Sequence, residues 1–102
     1  MSHGRNKYQS RENRLRVRQV LMEHWDPIGV RNVPEAVDEY DSYVGKVYVM
    51  LMDHRASEAA INAYLFSTAT EHMGLSPSDF LAAASANTAS ILVTLRSEFE
   101  LH

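Results

Sequence analysis

A segment bounded by prolines separates two helical patterns and constrains the fold more than any other feature. Residues 25–43 contain the only tryptophan of the chain, two of its three prolines and four carboxylates within seven residues. The residue before a proline is disfavoured in the helical conformation, so Pro27 predicts that a first helix ends near residue 24. Pro34 lies where a second helix begins. Between the two helices we expect an irregular loop, with Trp25 packed at their junction.

Apolar residues recur at helical spacing on both sides of this loop. The clearest pattern runs from Val37 to Leu51, where the apolar residues fall on one face of a helix. Further along the chain, Ser57 has the side chain of an N-cap, and Gly74 is the residue type that commonly ends a helix. We therefore predict an all-α fold of four helices. The predicted helices span residues 10–24, 35–53, 57–73 and 80–99.

These helices are predicted to form one domain, residues 10–102, because a chain of 102 residues can build one hydrophobic core. Residues 1–9 contain almost no apolar side chains and are predicted to be disordered. The alanine-rich last helix would allow close packing within the monomer, or a homodimer through that C-terminal helix. The predicted core consists of Val17, Leu21, Trp25, Tyr40, Val44, Val47, Leu51, Ile61, Leu65, Ile91 and Leu95.

The composition argues against a membrane protein. The chain is 45% hydrophobic and 23% charged, and it has no apolar run of the roughly 18 residues that a membrane span requires. The basic N-terminus is not followed by an apolar stretch, so it does not resemble a secretory signal. Without cysteine the chain has neither a disulfide framework nor a thiolate nucleophile. We therefore expect a soluble, cytoplasmic protein.

The sequence contains no residue pattern typical of an enzyme. Its five histidines include no pair four residues apart, no serine lies in a G-x-S-x-G motif, and there is no glycine-rich phosphate loop. We predict that the protein is not an enzyme and uses no cofactor or metal. The alternative is a metal-dependent hydrolase in which Asp26, Asp38 and Asp41 hold a hard cation. Asp38 and Asp41 are explained equally well without a metal, because acidic residues near a helix N-terminus complement the helix dipole.

The charge of the chain is divided between a basic end and an acidic body. Residues 1–18 carry six cations and one anion, a balance of +5, so the net charge of -3 leaves -8 on residues 19–102. From this we predict a non-catalytic protein-interaction module, which could neutralise a basic partner as an immunity protein or antitoxin does. Aromatic and acidic side chains together are typical of a protein-recognition surface. The predicted binding surface consists of Asp38, Glu39, Asp41 and Tyr43.

The basic end supports a different class of function, nucleic-acid binding through the first predicted helix. Cationic side chains on one helix can neutralise phosphates, with an affinity that falls as the salt concentration rises. A third interpretation needs no ligand, because the same cations can be solvated or can pair with acidic residues of the chain itself. The arginines that would contact nucleic acid are Arg11, Arg14, Arg16 and Arg18.

Two short motifs resemble a family of small bacterial proteins. The turn W-D-P-I-G places Trp25, Asp26, Pro27 and Gly29 in the family's W-D-P-(I/L)-G pattern, and D-E-Y-D at residues 38–41 matches its helix start. Proteins of that family are all-helical and carry no assigned activity, so the resemblance implies a fold and no function. It extends over about residues 12–75, and the chain departs from the family's pattern from Ser76 onward.

Overall fold

The computed structural model describes the backbone of residues 7–25 and 34–100, and the side chains of residues 9–25 and 40–100. In this part of the chain we find four α-helices and no strand, which confirms the predicted fold class. The loop predicted between the first two helices lies outside the described residues. The helices are α1 (Lys7–Val20), α2 (Pro34–Met52), α3 (Glu58–Ser67) and α4 (Asp79–Glu100).

Two of the helices end in a wider, π-helical turn. One such turn, Leu21–Trp25, extends α1, and the other, Thr68–His72, extends α3. With these extensions, α1 and α3 end within one residue of the predicted positions. The start of α1 differs: it is already helical at Lys7, so the described residues that were predicted to be disordered belong to its first turn. Packing explains the longer helix, because Gln9 is half-buried and lines a depression beside Phe99 of α4.

Hydrogen bonds at the helix ends account for the remaining boundaries. The Ser57 hydroxyl accepts a hydrogen bond from the Ala60 N–H at 3.1 Å, which confirms Ser57 as the N-cap of α3. Ser78 caps α4 in the same way, with its hydroxyl 3.0 Å from the Leu81 nitrogen. Gly74 has a φ of +77°, the left-handed conformation that glycine adopts without a steric penalty. The predicted helix-ending role of this glycine is therefore confirmed.

All four helices contribute to one hydrophobic core. Ten of the eleven predicted core residues are buried, and Ile91 is half-buried. Apart from Ala89, the buried positions of α4 are spaced alternately four and three residues apart, which places polar Ser85 and Thr88 inside the core and leaves Phe80 84% exposed. The Thr88 hydroxyl donates a 2.7 Å hydrogen bond to the Ala84 carbonyl, so this polar group is satisfied within its own helix. The buried residues of α4 are Leu81, Ser85, Thr88, Ala89, Leu92, Leu95 and Phe99.

An aromatic cluster lies where the two π-helical turns meet α2. The Trp25 ring lies 5.6 Å from Tyr40 and 6.1 Å from Tyr43, measured between ring centroids. His72 packs edge-on against the other side of Tyr43 at 5.9 Å. Each π-helical turn thus ends on a ring of this cluster, so the cluster joins the ends of α1 and α3 to the first half of α2.

Gly45 lies in the interior of α2, and we expect Gly45→Ala to raise the free energy of unfolding by about 0.5–1 kcal/mol. A Cβ atom built at Gly45 meets nothing within 4 Å, so the alanine gains helix propensity without a clash. Urea denaturation measures the change. The matched control is Gly74→Ala, which must destabilise because its φ of +77° is strained for alanine. A loss of stability in both variants would contradict the expected packing at Gly45.

Candidate functional site

An open groove of about 590 Å³ runs between α1 and α2 and is the leading candidate for a binding site. One wall comes from α1 and the other from α2, and the groove is polar and apolar in similar measure. Two of the surfaces predicted from sequence meet here, since cations of the basic end face a carboxylate of the acidic body. The lining residues are Ser10, Arg11, Arg14, Leu15, Arg18, Asp41, Val44 and Gly45.

The α1 wall carries three arginines and one exposed leucine. Arg11, Arg14 and Arg18 recur at intervals of three and four residues, which places them on one face of a helix. Leu15 lies on this same face and is 54% exposed, so an apolar side chain is exposed to solvent among the guanidinium groups. Sequence analysis missed Leu15, although its position four residues after Arg11 already placed it on the charged face rather than on the core face.

Contacts with α2 hold this wall in place. The Arg14 guanidinium carbon lies 5.4 Å from the centre of the Tyr48 ring, within the range of a cation–π contact. Buried Asn13 donates a side-chain hydrogen bond to the Tyr48 hydroxyl at 3.2 Å. Arg18 and Asp41 form an ion pair across the groove at 3.7 Å, with the Asp41 side chain 57% exposed. An exposed pair of this kind contributes little to stability, so both charges can be exchanged for those of a ligand.

The α2 wall of the groove carries little side-chain volume. Val44 is buried at its base, and Gly45 beside it has no side chain to fill the space. Glycine in a helix interior is unfavourable relative to alanine, and no atom of the described residues lies close enough to require it. The position therefore leaves room for another backbone to approach α2 closely.

The fourth arginine predicted to contact nucleic acid does not belong to this groove. Arg16 lies on another face of α1, where its guanidinium donates a 3.4 Å hydrogen bond to the Gln19 side chain. It lines a separate depression together with Glu98 of α4. The structure therefore brings together Arg11, Arg14 and Arg18 and separates Arg16 from them.

The predicted acidic, tyrosine-bearing surface is only partly described. Asp41 is exposed, as expected. Tyr43, in contrast, is only 5% exposed, so its expected surface position is corrected. The physical reason is that this part of α2 is covered on two sides, by Trp25 and by His72. The side chains of Asp38 and Glu39, and the turn residues Asp26, Pro27 and Gly29, lie outside the described residues.

A second cleft of about 530 Å³ lies between α2 and the end of α3. Lys46 and Glu71 line it together with the edge of the aromatic cluster, Tyr43 and His72. Tyr64 also lines the cleft, and partial burial raises the pKa of its phenol while a hydrogen bond with the Thr68 side chain opposes that rise. The phenol therefore stays protonated, as a hydrogen-bond donor, at neutral pH.

Within the described ranges, no group of three or more histidine or acidic side chains is arranged to hold a metal ion. The alternative site at Asp26, Asp38 and Asp41 stays a prediction, because two of those side chains are not described. None of the helices in the described ranges is long and apolar enough to cross a membrane. Comparisons with family models, curated proteins and solved structures found no match for the chain. The family resemblance of its two motifs thus stays a prediction.

Proposed function

We propose that this protein is a non-catalytic protein-interaction module whose binding surface is the groove between α1 and α2. The observation that carries the proposal is Leu15, an exposed apolar side chain surrounded by arginines in a concave site. Protein interfaces are enriched in arginine and combine an apolar centre with a polar rim. Neutralising a partner by binding, as immunity proteins and antitoxins do, requires only such a surface.

Of the acidic residues predicted to bind a partner, Asp41 belongs to the proposed binding surface. Asp41 lies on the rim of the groove and would contact any occupant. The side chains of Asp38 and Glu39 are not described, so both stay predicted contacts. Tyr43 is left out of the contact surface, because its ring is buried in the aromatic cluster.

The test is a capture experiment in which the groove is altered without altering the fold. The immobilised protein is incubated with lysate of its source, and the bound proteins are compared for the unmodified chain, Leu15→Asp and Arg16→Asp. Leu15 is exposed, so its replacement should leave the unfolding midpoint almost unchanged. We expect Leu15→Asp to lose a protein that the unmodified chain and Arg16→Asp both retain. Identical captured proteins in all three samples would contradict the proposal.

Nucleic-acid binding is the second candidate, and the shared face of Arg11, Arg14 and Arg18 favours it. A duplex bound there would release counterions, so its affinity would fall steeply between low and moderate salt. Exposed Leu15 in the centre of the face weighs against this candidate, because an aliphatic side chain offers nothing to a phosphate. A low-salt mobility shift that disappears in Arg14→Gln would support nucleic acid over protein.

A further inference from the structure

We propose that the occupant of the groove is an amphipathic helix of a partner protein, with carboxylates on both sides of a narrow apolar strip. This inference rests on the proposed function and adds the chemistry of the partner. It follows from the shape of the groove, from the position of Gly45 and from the charge of the α1 wall.

The shape favours a helix over an extended peptide. An extended segment that binds by strand addition needs the edge of a sheet, and the described residues contain no strand. Two packed helices instead offer a furrow between them, into which a third helix fits with its axis about 8–10 Å from each. The α1 wall spans Ser10 to Arg18, which corresponds to about two turns of a partner helix.

Gly45 marks where that helix comes closest. With no Cβ at this position, the partner backbone can approach α2 more closely than any other residue type would permit. Leu15 on the opposite wall and Val44 at the base would contact the apolar strip of the partner. The strip must be narrow and must carry a small residue opposite Gly45, because the close approach leaves no room for a large side chain there.

The charge of the groove determines the flanks of the partner helix. Among the lining residues that the structure describes, three are arginines and one, Asp41, is a carboxylate, so this part of the groove is complementary to an anionic segment. Arginine binds carboxylates through two parallel hydrogen bonds, and Arg14 is already oriented by the Tyr48 ring. Arg18 can exchange its exposed partner Asp41 for a carboxylate of the incoming helix. Acidic residues at intervals of three and four on the partner would match the arginine spacing.

The experiment uses three synthetic helical peptides that share one apolar strip of leucine and alanine and differ only in their flanks, which are glutamate, glutamine or lysine. Binding to the full chain is measured by fluorescence anisotropy at two salt concentrations. We expect the glutamate peptide to bind most tightly and to weaken as salt increases. Gly45→Gln, which fills the groove with a helix-compatible side chain, should weaken binding about tenfold or more, as should Leu15→Gln. Arg16→Gln, on another face of α1, should bind like the unmodified chain.

Several outcomes would overturn the inference. If the lysine or glutamine peptide binds as tightly as the glutamate peptide, or more tightly, the partner helix is not acidic. If Gly45→Gln binds the peptide as well as the unmodified chain does, the groove is not the binding site. A doubled mass in light scattering that Leu15→Gln restores to a monomer would make a second copy the occupant. A duplex nucleic acid that outcompetes the glutamate peptide would also overturn it. If no peptide binds but Leu15→Asp still loses a captured protein, the acidic partner helix is contradicted and the proposed interaction module is not. If Leu15→Asp loses no captured protein either, both proposals are contradicted.

Discussion

Trp25→Ala is expected to lower the free energy of unfolding by about 3–5 kcal/mol, the range for removing a large aromatic side chain from a core. The ring is 4% exposed and contacts both Tyr40 and Tyr43, so alanine would leave a cavity at the point where α1, its π-helical turn and α2 meet. Such a loss is a large share of the roughly 5–15 kcal/mol that stabilise a typical domain. Urea denaturation followed by far-UV circular dichroism measures it.

Trp25→Phe separates ring packing from other effects at this position. Phenylalanine keeps an aromatic ring between the tyrosines, and it removes the buried indole N–H, which has no hydrogen-bond partner in the part of the chain that the structure describes. The loss should therefore be well below that of alanine. Leu15→Ala is the matched control, because it removes a similar apolar group from an exposed site. Equal losses in Trp25→Ala and Leu15→Ala would contradict the central position of the indole.

Arg96→Met is expected to lower the free energy of unfolding by about 2–3 kcal/mol, since it removes two charge-assisted hydrogen bonds and leaves carbonyl groups without partners. Arg96 of α4 donates from Nε to the Leu51 carbonyl at 2.8 Å and from its terminal nitrogen to the Ala56 carbonyl. The first carbonyl belongs to the last turn of α2, where intrahelical partners run out. One side chain therefore fastens the α2–α3 connection to α4.

Two further variants test the geometry of this contact. Arg96→Lys keeps the charge and loses the planar fork, so its stability should lie between those of Arg96→Met and the unmodified chain. Arg55→Ala removes an exposed ion pair with Glu100 in the same region and should leave stability almost unchanged. Thermal denaturation at matched pH ranks the three variants. A larger loss in Arg55→Ala than in Arg96→Met would show that the ion pair, and not the Arg96 hydrogen bonds, stabilises this end of the domain.

Much of the fold could be predicted from sequence because the signals are local. The spacing of apolar residues from Val37 to Leu51 indicates a helix whatever its neighbours are, and Ser57 and Gly74 act within one turn of their own positions. Tyr43 was placed on the wrong side because its surroundings are not local. A single helix pattern shows one buried face, whereas this part of α2 is covered by Trp25 and by His72 from two distant segments.

Only part of the groove could be predicted from the sequence. The shared helical face of Arg11, Arg14 and Arg18 follows from their spacing, and the structure bears it out. That Asp41 lies opposite them depends on how α1 and α2 pack, which no pattern within either helix specifies. The role of Arg96 is likewise tertiary, because Leu51, whose carbonyl it binds, is 45 residues away in the chain.

The two π-helical turns make the packing of the aromatic cluster depend on the number of residues in each turn. Each accommodates a wider loop of backbone than an ordinary turn, and each ends on a ring of the aromatic cluster. Such a turn holds one residue more than an α-helical turn, so deleting one residue would let it close as an ordinary turn, whereas inserting one more would rotate everything beyond it by about 100° around the helix axis. Trp25 or His72 would then point away from Tyr43 although no side chain had changed. At these two places the number of residues, as much as their identity, determines which rings meet.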